Sequence, residues 1–159
     1  MKNLLALATL AALATPALAD SPKPPPAAIG AAATIKDIEK TFGFVPAFVR
    51  DLPQVMLASW WDGMKALEIN PHTALDGKTK ELIGLAVAAA IPCEYCIAFH
   101  TEAAKLDNAT DEEIQEAIGM AGLTRTGSIW LNGRQVDKAQ FRKDLERFVH
   151  DARQASAKK

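Results

Sequence analysis

Cysteine is scarce in this chain, with two residues in 159, and tyrosine occurs once. Two cysteines close at most one intramolecular disulfide. A disulfide scaffold is therefore excluded, and the core must come from apolar burial. Net charge is almost absent too, at −1. No basic field argues for nucleic acid or an anionic membrane as a partner. Sustained strand alternation is missing, and no internal repeat is visible. With 49% hydrophobic and 23% charged residues, the chain falls in the ordinary globular range, with length for one domain.

A run long enough to span a bilayer is also lacking. The apolar stretch after Lys2, residues 4–14, is shorter than the roughly 20 residues a span requires. Ala17-Leu18-Ala19 fits a small-x-small cleavage site. Together these predict a signal peptide over 1–19 and cleavage after Ala19. The mature protein is then periplasmic or secreted, with no membrane attachment. Pro22, Pro24, Pro25 and Pro26 beside alanines predict an extended leader over 20–33.

The remainder reads as helices. Thr34 is read as the cap of a first helix, with Ile35, Ile38 and Phe42 at helical spacing and Gly43 as its stop. A short turn follows around Pro46. Pro53 opens a helix to about Leu67, with Val55, Met56, Trp60, Met64 and Leu67 along one side. Trp60-Trp61 places one ring in the core and leaves the other for a cleft or a partner chain. Asp76 caps a helix over 77–91, which has no polar face beyond its first turn and should be buried on most sides. Pro92 interrupts, and a fresh helix runs from Cys93 to about Leu106.

Thr110-Asp111-Glu112-Glu113 is a capping box. It opens a helix with Ile114, Ala117, Ile118 and Ala121 inward, continuing to Leu131, and Trp130 is expected in the core. The last helix spans about 137–152, with an apolar stripe of Phe141, Leu145, Phe148 and Val149. Residues 153–159 are expected to fray. The prediction is an all-α domain over 34–152, five to six main helices around a buried 77–91 helix.

The residues able to do chemistry gather in 81–100, ELIGLAVAAAIPCEYCIAFH. Cys96 and His100 lie one turn apart on one helix face, so the imidazole can take the thiol proton. The thiolate is the reactive form. Cys93, in the first turn, feels the positive end of the helix dipole. A buried carboxylate at Glu81 needs a partner, and His100 is the available one. A Glu–His–thiol chain is a proton relay.

Several other chemistries compete for the pair. Haem attachment requires His directly after the second cysteine, and Ile97 stands there. A thioredoxin fold places the pair after a strand, whereas this pattern is helical on both sides. Zinc could take Cys93, Cys96, His100 and Glu81. A second Cys-x-x-Cys is missing, and export disfavours free thiolates, so no metal or cofactor is expected. The alternative to a redox enzyme is a non-catalytic binding or structural protein. Its Cys93–Cys96 disulfide would be permanent, and its Trp60-Trp61 face would hold an apolar ligand or a subunit contact.

Glu81, then Cys93-Glu94-Tyr95-Cys96, then His100 match the E…CxxCxxxH signature. In this the chain resembles the AhpD-like alkylhydroperoxidases of the carboxymuconolactone decarboxylase superfamily. The likeness extends from Thr34 to about Val149 and includes Phe42-Gly43-Phe44-Val45-Pro46 and the capping box. It implies an all-α fold that assembles as a homo-oligomer, a trimer or hexamer, and reduction of hydroperoxides by thiols. Carried over, Cys96 is the peroxidatic thiol and Cys93 the resolving thiol. His100 and Glu81 form the relay that deprotonates Cys96. Familiar members carry histidine where Tyr95 stands, so Tyr95 is the expected additional relay or substrate contact. The implied partners are a hydroperoxide substrate and a thiol or dithiol reductant, which export makes different from a cytoplasmic one. The decarboxylase branch does not rely on the cysteine pair, so lactone chemistry is not implied.

Overall fold

The computed structural model describes residues 27–157. The signal peptide read over 1–19 and the leader prolines lie outside the described residues. In chain order the elements are α1 (Ala27–Phe42), α2 (Ala47–Arg50), α3 (Gln54–Gly63), a π-helical segment (Met64–Glu68), α4 (Gly77–Ala90), α5 (Glu94–Leu106), α6 (Asp111–Gly133) and α7 (Lys138–Ser156). The all-α expectation holds among the described residues. The chain divides after Trp61 into two compact units.

In the first unit, α1 begins at Ala27, ahead of the Thr34 start expected from capping. Alanine is the strongest helix former, and the run Ala31-Ala32-Ala33 carries the helix upstream. Thr34 is therefore internal, and its Oγ1 donates to the Gly30 carbonyl at 2.8 Å. Gly43 ends the helix at φ +79°, a left-handed conformation that suits glycine. Ile38, Val49, Leu57 and Trp61 are buried. The Trp61 indole donates to Asp37 Oδ2 at 2.7 Å and meets Phe42 edge-on at 5.3 Å. Trp60 is half-buried against Phe48, so Trp61 is the core ring of the pair. Val55 and Met56, expected inside, are exposed, while Leu57 and Trp61 point in. The apolar residues of α3 lie on more than one face, so spacing alone does not pick the covered one, and the helix turns π-helical at Met64.

The second unit is built on α4, which packs against α5 and α6. Asp76 caps α4 by accepting from the Thr79 N–H at 2.7 Å, which holds its carboxyl below the usual range. Leu85, Ala104 and Ile114 are buried where the three helices meet, with Leu82, Ile97 and Ala109 packed on them. The capping box of α6 is complete: Glu113 N–H donates to Thr110 Oγ1, and Thr110 N–H donates to Glu113 Oε2. Glu113 also pairs with Lys78 at 2.7 Å, joining the first turns of α4 and α6.

Three burial expectations are corrected here. The α4 helix is buried on one side, not most, since Ile83 and Val87 are exposed. Beyond Ile114, α6 buries little, and Trp130, expected in the core, is exposed. The stripe Phe141, Leu145 and Phe148 forms on α7 as spaced but is likewise uncovered. Periodicity identifies side chains that share a face, not what covers that face. The last helix also continues to Ser156, past the point where fraying was expected. None of the described helices is long and apolar enough to cross a membrane.

Candidate active site

The site is assembled within the second unit from α4, the start of α5 and the end of the π-helical segment. Cys93 is the N-cap of α5, and its sulfur accepts the Cys96 N–H at 3.3 Å. Cys93 and Cys96 are joined as a disulfide, with Cα atoms 5.3 Å apart. In that form neither sulfur is a metal ligand.

One turn on, His100 directs Nδ1 at Glu81 Oε2, 2.8 Å away. With Glu81 ionised, Nδ1 donates, and Nε2 is left as the basic nitrogen. The imidazole lies on the α4 backbone at Gly84, where a Cβ would overlap Nδ1, Cε1 and Nε2. Phe99 meets the same ring edge-on at 5.1 Å. Glu81 is only 6% exposed. Burial pushes its carboxyl up, the hydrogen bond from His100 pulls it down, and the nearby Glu68 charge pushes it up again.

Cys96 and His100 open into a cavity of about 350 Å³. Leu75, Ile83, Val87 and Ile91 form much of its apolar wall, and Glu68 and Lys80 are its other polar members. Lys80 is buried, and its ammonium donates to three carbonyls, Leu67 and Asn70 at 2.8 Å and Glu68 at 3.3 Å. These contacts satisfy backbone acceptors left open where the π-helical segment ends.

Cys93, Cys96, His100 and Glu81 are thus brought together as their spacing anticipates. Tyr95 is not. It is 89% exposed and does not line the cavity. Its place between the two cysteines, in the first turn of α5, turns it outward. Glu68 and Lys80 were not read from the sequence. A lysine beside Glu81 in a helix expected to be buried was a signal, because a buried ammonium requires acceptors. Glu68 gave none, since a loop and a π-helical segment lie between it and the motif. Glu68, Glu81 and His100 set one ligand atom each within 4.8 Å of one another, which makes them the described group able to hold a metal ion.

The chain is similar to known proteins. The sequence model of the carboxymuconolactone decarboxylase family matches residues 56–139. A crystal structure of an alkylhydroperoxidase AhpD core from Rhodospirillum rubrum is similar with a TM-score of 0.60 and 32% identity, over 70% of this chain and 85% of that one. A Paracoccus denitrificans protein described as uncharacterized protein 4 in cox locus is 40% identical over 63 residues, 40% of this chain. The match spans 57% of that relative's length.

Proposed function

We propose that this chain, which belongs to the carboxymuconolactone decarboxylase family, is an exported thiol-dependent peroxidase that cycles Cys93 and Cys96 between dithiol and disulfide. One observation carries the reading. A disulfide at a helix start lies one turn before a histidine held by a buried carboxylate, and Cys96 and His100 open into one cavity.

In the reduced protein, His100 Nε2 takes the proton of Cys96. The thiolate attacks the outer peroxide oxygen, the O–O bond breaks, and Cys96 becomes a sulfenic acid. The imidazolium returns its proton to the departing alkoxide, giving the alcohol. The Cys93 thiol then attacks Cys96 Sγ, releasing water and closing the disulfide. An external dithiol restores both thiols and leaves as its own disulfide. Glu81 orients the imidazole throughout and stabilises its charged form.

Export rests on Lys2, the apolar run and Ala17-Leu18-Ala19. Self-association into a homo-oligomer is also part of the proposal. Val87 on α4, Trp130 on α6 and Phe148 on α7 stand exposed, and contiguous apolar faces of this kind mark association sites.

The purified mature protein, given a dithiol, should consume an organic hydroperoxide, and Cys96→Ser should abolish turnover. Full activity in Cys96→Ser would sink the reading. A pair that thiol trapping finds irreducible at glutathione-like potentials would favour a permanent structural disulfide instead.

A further inference from the structure

Glu68 has no part in the relay described above, yet its position is closely specified. It ends the π-helical segment, a geometry that is rare and recurs at functional sites. Its carbonyl is one of the three gathered by Lys80, which fixes the backbone from which the side chain extends. Its Oε1 is fully buried, and no hydrogen-bond donor reaches it among the described residues. A dry, unpaired carboxylate oxygen is costly, so one held in that state calls for a cation or a donor from outside the chain.

The nearby lysine does not meet that need. Lys80 precedes Glu81 on α4 and lines the same cavity as Glu68. Its ammonium turns onto the carbonyls of Leu67, Glu68 and Asn70 rather than onto either carboxylate. What the buried oxygen does face is a second carboxylate and an imidazole nitrogen. His100 Nδ1 stands 2.8 Å from Glu81 Oε2 and 3.6 Å from Glu68 Oε1, and the three ligand atoms lie within 4.8 Å of one another.

That spacing suits one metal class. Zinc holds nitrogen and carboxylate oxygen at about 2.1 Å, so two ligands on its tetrahedron stand about 3.4 Å apart. The two distances from Nδ1 bracket that value. Calcium and magnesium ask for six or more ligands, nearly all of them oxygen, and this set offers an imidazole and two carboxylates. The π-helical end, α4 and α5 each contribute one ligand. No sulfur takes part, so the set persists while Cys93 and Cys96 are closed as a disulfide.

We propose that Glu68, Glu81 and His100 form a zinc site, with water as the fourth ligand, and that zinc there regulates the relay. The metal takes the lone pair of Nδ1, and the hydrogen that Nδ1 gave to Glu81 passes to Nε2. Nε2, the base of the relay, then carries a hydrogen and cannot take the proton of Cys96. Zinc is in this role an inhibitor, not a resident cofactor. The regulatory meaning rests on the peroxidase reading above, whereas the metal site is tested without peroxide or reductant.

The test uses the mature protein with its disulfide closed, so that no thiolate competes for metal. Zinc chloride is titrated in by calorimetry, and cobalt chloride serves as a coloured probe. The wild type should bind one equivalent of either, and cobalt should show the intense visible bands of a four-coordinate ion. Glu68→Gln should bind zinc about a hundredfold more weakly, because losing only a hydrogen-bond partner of a ligand already costs about ten- to a hundredfold. With ¹⁵N-histidine, zinc should shift His100 Nδ1 to a metal-bound position and place the hydrogen on Nε2. The other two histidines, His72 and His150, are exposed and should not move.

Three outcomes overturn the proposal: no saturable uptake by the wild type, equal affinity in Glu68→Gln, or uptake that moves His72 or His150 and leaves His100 in place. Should Glu68→Gln lose its helical circular dichroism, the wild-type His100 resonances decide. Zinc binding in a protein without peroxidase activity would reject the peroxidase reading and leave the metal site standing. Peroxidase activity in a protein that takes up no zinc would do the reverse.

Discussion

His100 and Glu81 lie nineteen residues apart in sequence and 2.8 Å apart in space, Nδ1 to Oε2. The packing of α5 on α4 makes the contact, and Gly84 leaves room for the ring. If the imidazole is the base for Cys96, His100→Asn should slow alkylation of the reduced thiol at neutral pH by about a hundredfold. Iodoacetamide labelling of reduced protein measures this. An unchanged rate would place the base elsewhere.

The buried Glu81 carboxyl also makes stability depend on pH. Burial, the leading cause, raises its folded value above the ordinary 4.5. The unfolded chain then releases its proton first as pH rises. Between the two values the native state binds more protons, so this contribution to stability falls as pH rises through that window. Glu81→Gln has no proton to lose and should flatten that stretch. Urea midpoints from about pH 4 to pH 8 provide the comparison, and parallel slopes in the two proteins would contradict the account.

Roles within the cysteine pair are separable. In Cys93→Ser the resolving thiol is absent, so one addition of hydroperoxide should leave Cys96 as a sulfenic acid. A dimedone adduct detected by mass spectrometry would report it. In Cys96→Ser no adduct should form. Adducts on Cys93 in Cys96→Ser would mean that the two roles are exchanged.

Two substitutions probe the frame that holds the site. Leu85 is fully buried, and Leu85→Ala should cost about 3 kcal/mol through lost burial and the cavity left behind. Thr110→Ala removes the N-cap of α6 and should cost about 1 kcal/mol. Denaturant unfolding measures both. A larger loss in Thr110→Ala than in Leu85→Ala would reverse the ranking of core over cap.

The uncovered α7 stripe provides the test of self-association. Light scattering of the mature protein should give a mass above that of one chain. Leu145→Glu, with Leu145 half exposed in the single subunit, should lower that mass without unfolding the helices. A monomeric wild type would remove the oligomer from the proposal.

Much of the fold was legible because local rules governed it. Asp76, Thr110 and Asp137 each accept a backbone N–H at the start of the helix they were expected to open. The His100–Glu81 contact was legible because a buried Glu81 demands a partner and His100 was the available one. Other features depended on contacts that periodicity does not encode. The inward residues of α3 are Leu57 and Trp61, and the π-helical segment carries Glu68 to the site. Trp130 and the α7 stripe looked like core because apolar spacing is the same whether a face meets its own chain or another. Tyr95 was assigned by analogy to a position whose direction was set by the first turn of α5.

Lys80 adds a positive charge to the formal tally of the chain, but its three donors are already committed to carbonyl oxygens. A ligand in the cavity meets acidic Glu68 and a lysine with no hydrogen left to offer. An incoming carboxylate or phosphate would have to shed its water there without replacement, against the field of the acids. An uncharged oily molecule would find apolar contact on the cavity wall, and an anion would find no free donor on Lys80.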